Sequence, residues 1–137
     1  EAAPDPVIVY DMEGKVVYLN RAFTRVFGWT LEERLGKRLD DFVPEASKPE
    51  TTEAVNRMLE GRRVDSLETT RLTKDGRLLH IQGSSSTFTG RDGRPEGSIV
   101  ILRDVTEKRL MEEALRDSEE RYRMLINNIR RLHWIRF

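Results

Sequence analysis

At Thr106 the sequence changes character, and the change limits what the chain can become. All nine glycines and all five prolines lie before this point. A chain interrupted that often builds short elements joined by turns, whereas nothing in the tail stops a helix. The tail is rich in Glu, Lys, Arg, Leu, Met and Ala. Along it Met111, Leu115, Ser118, Tyr122, Leu125, Ile129 and Leu132 step by four and three in alternation, the spacing of a heptad seam. That seam reads as one half of a homodimeric coiled coil, or as an amphipathic helix folded back on its own domain. Ser118 is polar and Tyr122 bulky, so the seam is imperfect. Leu132 to Phe137, with Trp134 and Phe137, reads as a strand that begins a further domain.

Before Thr106 the periods are shorter. Val7–Met12 and Lys15–Asn20 are β-branched, apolar runs with Glu13-Gly14 between them, a hairpin pattern. Asn20 is a good helix N-cap, and Ala22, Phe23, Val26 and Phe27 follow at helical spacing up to Gly28. Thr30-Leu31-Glu32-Glu33 has the form of a capping box, and Gly36 closes that segment. Leu39, Phe42 and Val43 form an apolar knot ahead of Pro44. Pro49 to Gly61 predicts a helix with Val55, Met58 and Leu59 on its apolar face. Three strands follow, Asp65–Thr73, Arg77–Thr89 and Gly97–Val105, separated by Lys74-Asp75-Gly76 and by Gly90 to Pro95. The run Ile99-Val100-Ile101-Leu102 predicts a central strand covered on both faces. Two strands, short helices, then three strands give an α+β fold on an antiparallel sheet.

Several function classes are disfavoured. The 137 residues suit one domain plus an appendage. Lys and Arg number 24, as do Asp and Glu, so no net charge favours nucleic acid or an anionic membrane. The doublets Arg62-Arg63 and Arg130-Arg131 read as solvated faces. The absence of cysteine removes disulfides, thiolate nucleophiles and cysteine metal sites. His80 and His133 are far apart and make a poor metal pair. His80 reads as a surface or interface residue of its strand, and His133 does not resemble a phosphoacceptor. No glycine-rich phosphate loop, nucleophile elbow or paired metal motif is present, so an enzyme is not expected. No signal peptide or long apolar run is visible. The chain is expected to be cytoplasmic, with a parent protein that is free to be membrane-anchored.

From Pro4 to Lys108 the sequence resembles the PAS domains of bacterial signalling proteins. The matching pieces are Pro4 to Asp11 with Gly14, Val17 to Phe23, Phe27 to Lys37, the Lys74-Asp75-Gly76 turn and Arg103 to Lys108. They occur in the family's order, and the combination is specific. Leu115 to Arg123 resembles the linker between tandem PAS domains. The expected organisation is therefore a sensory domain over 1–106, a helical linker or coiled coil over 107–127 and the truncated start of a following domain over 128–137. The family's usual N-terminal helix has no counterpart here.

The resemblance implies a five-stranded antiparallel sheet with short helices on one face, enclosing a small cavity, plus a C-terminal amphipathic helix. Phe42, Met58, Leu67, Leu79, Ile81, Ser85, Ile99 and Ile101 are the candidate lining, and a filled core is the alternative. The polar stretch Gly83–Thr87 suits a ligand that needs hydrogen bonds. A photosensor of this family would need a reactive cysteine, which is absent. A haem-binding member would need a histidine on the 49–61 helix, which holds none. A non-covalent small ligand or flavin stays open. Trp29 is one possible ring contact, or a plug of the helix junction.

Asp104 and Thr106 match the family's tail motif. Thr106 is placed to cap the output helix, and Asp104 to pair with a base on a neighbouring strand. The expected role is a non-catalytic sensory module that acts as a homodimer on a downstream output domain of the same chain. A histidine kinase is the first expectation and a diguanylate cyclase the second. A purely structural dimerisation module is the competing reading.

Overall fold

The computed structural model describes residues 4–135. They divide into a compact unit ending at Val105 and a second unit beginning at Thr106. The first runs β1 (Val7–Asp11), β2 (Val16–Leu19), α1 (Arg21–Phe27), α2 (Leu31–Arg34), a 3-10 turn (Glu45–Ser47), α3 (Lys48–Leu59), β3 (Val64–Leu72), β4 (Leu78–Thr89) and β5 (Pro95–Asp104). Its strands form one antiparallel sheet in the order β2-β1-β5-β4-β3. The second unit is one helix, α4 (Thr106–Ile135). No helix among the described residues is long and apolar enough to cross a membrane.

Local chemistry explains the helix starts. Asn20 Oδ1 accepts from the Phe23 and Val7 backbone N–H groups, both at 2.9 Å, while its Nδ2 donates to the Asp5 carbonyl at 3.0 Å. One side chain thus caps α1 and ties it to the start of β1. Gly28 ends α1 with φ +101, a conformation that glycine adopts without strain. The Thr30–Glu33 capping box is formed reciprocally, with N···O distances of 3.0 and 3.2 Å.

The core lies between the inner face of the sheet and the α1–α2 region. Ile8, Leu19, Leu79, Ile81 and Leu102 from the strands meet Phe23 and Phe27 of α1, with Trp29, Leu39 and Phe42 from the connections. Phe23 and Phe27 stack at 4.8 Å between centroids, and Phe42 meets Phe27 edge-on at 5.7 Å. Trp29 is buried and edge-on to Phe42 at 6.1 Å, with the Arg34 guanidinium 5.4 Å over its ring.

Two expectations are corrected. β5 is the central strand, yet it is not covered on both faces. Ile99 and Ile101 are 37% and 38% exposed on the outer face, while the alternate residues Val100 and Leu102 turn inward. An unbroken apolar run marks a central position but does not reveal which faces are covered. The expected strand at Leu132–Phe137 is also absent as far as Ile135, because α4 continues to that residue. The unbroken supply of helix formers carries the helix past Trp134. Arg136, Phe137 and the side chains of His133 and Trp134 lie outside the described residues.

Candidate functional site

Farther along the same inner face the packing gives way to a cavity of about 310 Å³ under α3. Strand register builds its floor. Tyr10 lies opposite Ser98 and Ser98 opposite Thr87. Val100 lies opposite Ser85, and Leu102 opposite Gly83, which in turn faces Leu67. All of these residues line the cavity. Directly paired residues share a sheet face, so the register delivers three rows of side chains to one surface. Gly97 fixes the approach of β5 to β1, because a methyl group there would collide with the Tyr10 carbonyl oxygen and the Phe88 ring.

Helix α3 is the roof. Near its start, the Ser47 hydroxyl bonds to that of Thr70 at 2.5 Å, and near its end Thr87 Oγ1 donates to the Met58 carbonyl at 2.9 Å. Between these tethers no α3 residue is buried. Val55 and Leu59, both on the cavity wall, remain 42% and 55% exposed. The apolar face of α3 therefore looks onto open space rather than onto a packed core. A volume near 300 Å³ is at the small end of ligand sites.

Two polar groups stand out on the wall. Arg71 is 6% exposed, with its guanidinium 5.4 Å above the Phe42 ring. Its Nη1 donates to Thr69 Oγ1 at 3.0 Å and to the Thr70 carbonyl at 2.7 Å. Burial pulls its ionisation below the ordinary arginine value, although an arginine so placed stays charged at neutral pH. The Tyr10 phenol is pushed well above its usual range by burial, so it is a neutral donor at physiological pH.

The structure distributes the eight candidate lining residues unevenly. Phe42, Met58, Leu67 and Ser85 are on the cavity wall. Leu79 and Ile81 are in the packed core, and Ile99 and Ile101 are on the outer face. Tyr10, Thr69, Arg71 and Ser98 were missed by the sequence reading. A signal for two of them existed: alternation from Leu67 puts Thr69 and Arg71 on the same face as that leucine.

The remaining candidates are His80 on β4, Asp104 and Thr106 around Val105, and the seam residues of α4. Asp104 is the last residue of β5, opposite Ile81. Thr106 is the first residue of α4 itself rather than the residue before it. His80, partly buried on β4, accepts the Val105 N–H on its carbonyl at 2.9 Å. Along α4 the seam residues Met111, Leu115, Tyr122, Leu125 and Ile129 are exposed, as is Ser118, and Leu110 and Met124 add exposed apolar surface beside them.

Comparison with known proteins identifies the family. The family model described as PAS fold matches residues 1–110. The chain belongs to the PAS family. Solved structures agree on the fold: the PAS domain of a protein from Colwellia psychrerythraea superposes with a TM-score of 0.67 at 22% identity, covering 75% of this chain and 87% of that one. Among curated relatives, sporulation kinase A of Bacillus subtilis (strain 168) is 27% identical over 93% of this chain. The sensor histidine kinase TmoS of Ectopseudomonas mendocina is 24% identical over 83% of it. The matched stretch is 21% of the first kinase and 12% of the second. This PAS domain is thus similar to portions of bacterial sensor kinases.

Proposed function

We propose that this PAS domain is a non-catalytic sensor that holds a small ligand beneath α3 and reports its presence through α4 to an output domain of a longer signalling protein. The observation that carries the reading is the roof itself. An amphipathic helix tethered near both ends, with no residue buried and its apolar side over a cavity, gains packing when something fills that cavity. The kinship with sensor kinases supports a histidine kinase as the output. The exposed apolar stripe of α4 supports a homodimeric coiled coil as the carrier of the signal. Asp104 and Thr106, flanking Val105, stand where strand gives way to helix.

Native mass spectrometry of the purified chain tests ligand and pairing together, with an absorbance scan of the same sample. A dimer carrying added mass is the expected result. A monomer that acquires no mass from a cell extract or a metabolite mixture would overturn both parts of the reading.

A further inference from the structure

Arg71 narrows the chemistry of what this cavity takes. Nη1 uses its bonds on two neutral acceptors, the Thr69 hydroxyl and the Thr70 carbonyl. Nε is buried and has no hydrogen-bond acceptor. The acid whose charge reaches Arg71 is Glu50 on α3, but among the described residues no carboxylate forms an ion pair with this guanidinium. Among the described residues Nη2 also has no protein acceptor but keeps some accessible surface, so the Nε–Nη2 edge is approached from the Nη2 side. A buried cation with an unmet donor is costly unless an anion completes it. That edge of a guanidinium matches the two oxygens of a carboxylate. The Tyr10 phenol on the same cavity wall offers a further neutral donor. Most of the surrounding surface is apolar, from Phe42, Met58, Leu67, Val100 and Leu102.

We propose that the cavity binds a small monocarboxylate with an apolar body, its carboxylate on the Nε–Nη2 edge of Arg71 and its body beneath α3. The assignment rests on the cavity being a ligand site and specifies the ligand's class. One negative charge matches one arginine. A phosphate monoester would bring a second charge, and the other arginine of the lining, Arg38, is exposed and already paired with Asp40.

The test is calorimetric titration and thermal unfolding of the 137-residue chain with octanoate and 3-phenylpropanoate. The matched controls are octanamide, 3-phenylpropanamide and phenyl phosphate. The acids are expected to bind and to raise the unfolding midpoint, and the amides to bind about 10- to 100-fold more weakly, as loss of a charge-assisted pair implies. Arg71→Met, which replaces the buried charge by an apolar chain, should reduce the acids to the level of the amides. Arg71→Lys should keep part of the preference, and the midpoints without ligand report that both variants fold. Equal binding of acid and amide, tighter binding of phenyl phosphate, or indifference to Arg71→Met would each overturn the carboxylate assignment while leaving a ligand site. Absence of binding by every probe would overturn the assignment, whereas only a failure of the broader mass-spectrometric screen would remove the sensor reading as well.

Discussion

The inner face of the sheet is built in two ways. Beside α1, Phe23 and Phe27 are fully buried, stacked on each other and enclosed by Ile8, Val16 and Ile81. Beneath α3 the same sheet presents serines, threonines and an arginine to open space, under a helix with no buried residue. Hydrophobic burial is concentrated in the first region, so that region carries most of the fold's stability. The second is held chiefly by tethers near the two ends of its helix and has room for a partner. Stability and recognition thus occupy adjoining parts of one surface.

The contrast makes predictions of decreasing size. Phe23→Ala should lower unfolding free energy by about 3–5 kcal/mol, the usual cost of removing a buried phenyl ring, in a urea titration. Met58→Ala, on the half-buried roof, should cost about 1 kcal/mol or less in the same titration. Equal losses at the two positions would break the distinction between a packed and a hollow region.

The smallest effect concerns Glu33, at the margin of the packed region. Its carboxylate accepts from Lys74 Nζ, 2.5 Å away, and from the Thr30 N–H, and these bonds pull its pKa down to about 2. A depressed folded-state value means that the stabilisation is complete above the ordinary glutamate range and is lost as pH falls through about 2. The pair faces solvent and is screened by salt, so the effect on stability should be slight. A carboxyl-carbon NMR titration should find Glu33 depressed, and Lys74→Ala should return it toward the ordinary range. An unshifted Glu33 in the parent chain would remove α2 from the well-tied region.

What could be read from the sequence was mostly what neighbours in sequence determine. Asn20 capping α1, Gly28 ending it and the Thr30–Glu33 box each depend on residues three or four apart, and each stands in the structure. The five-stranded antiparallel sheet was legible through the family resemblance, and the apolar run of β5 marked it as the central strand. The faces of β5 were not legible, because Ile99 and Ile101 are as apolar as Val100 and Leu102 and only the tertiary structure distinguishes them. Ile99 and Ile101 were expected in the cavity lining for the same reason, whereas Leu79 and Ile81 face inward but belong to the packed core. Arg71 escaped notice because arginine on a strand ordinarily faces water, and an inward guanidinium becomes visible only once Phe42 is seen beneath it. The helical course of α4 to Ile135 was obscured by two aromatics, although the absence of any breaker was the better guide.

The unburied roof has an evolutionary consequence. A residue that carries little of the folding energy is free to vary, and α3 presents a whole face of such residues to the cavity. Substitutions at Val55, Met58 or Leu59 reshape the cavity without drawing on the aromatic cluster beside α1. Descendants of this domain would therefore acquire new ligand preferences by small steps along one helix, each tolerated before it is useful.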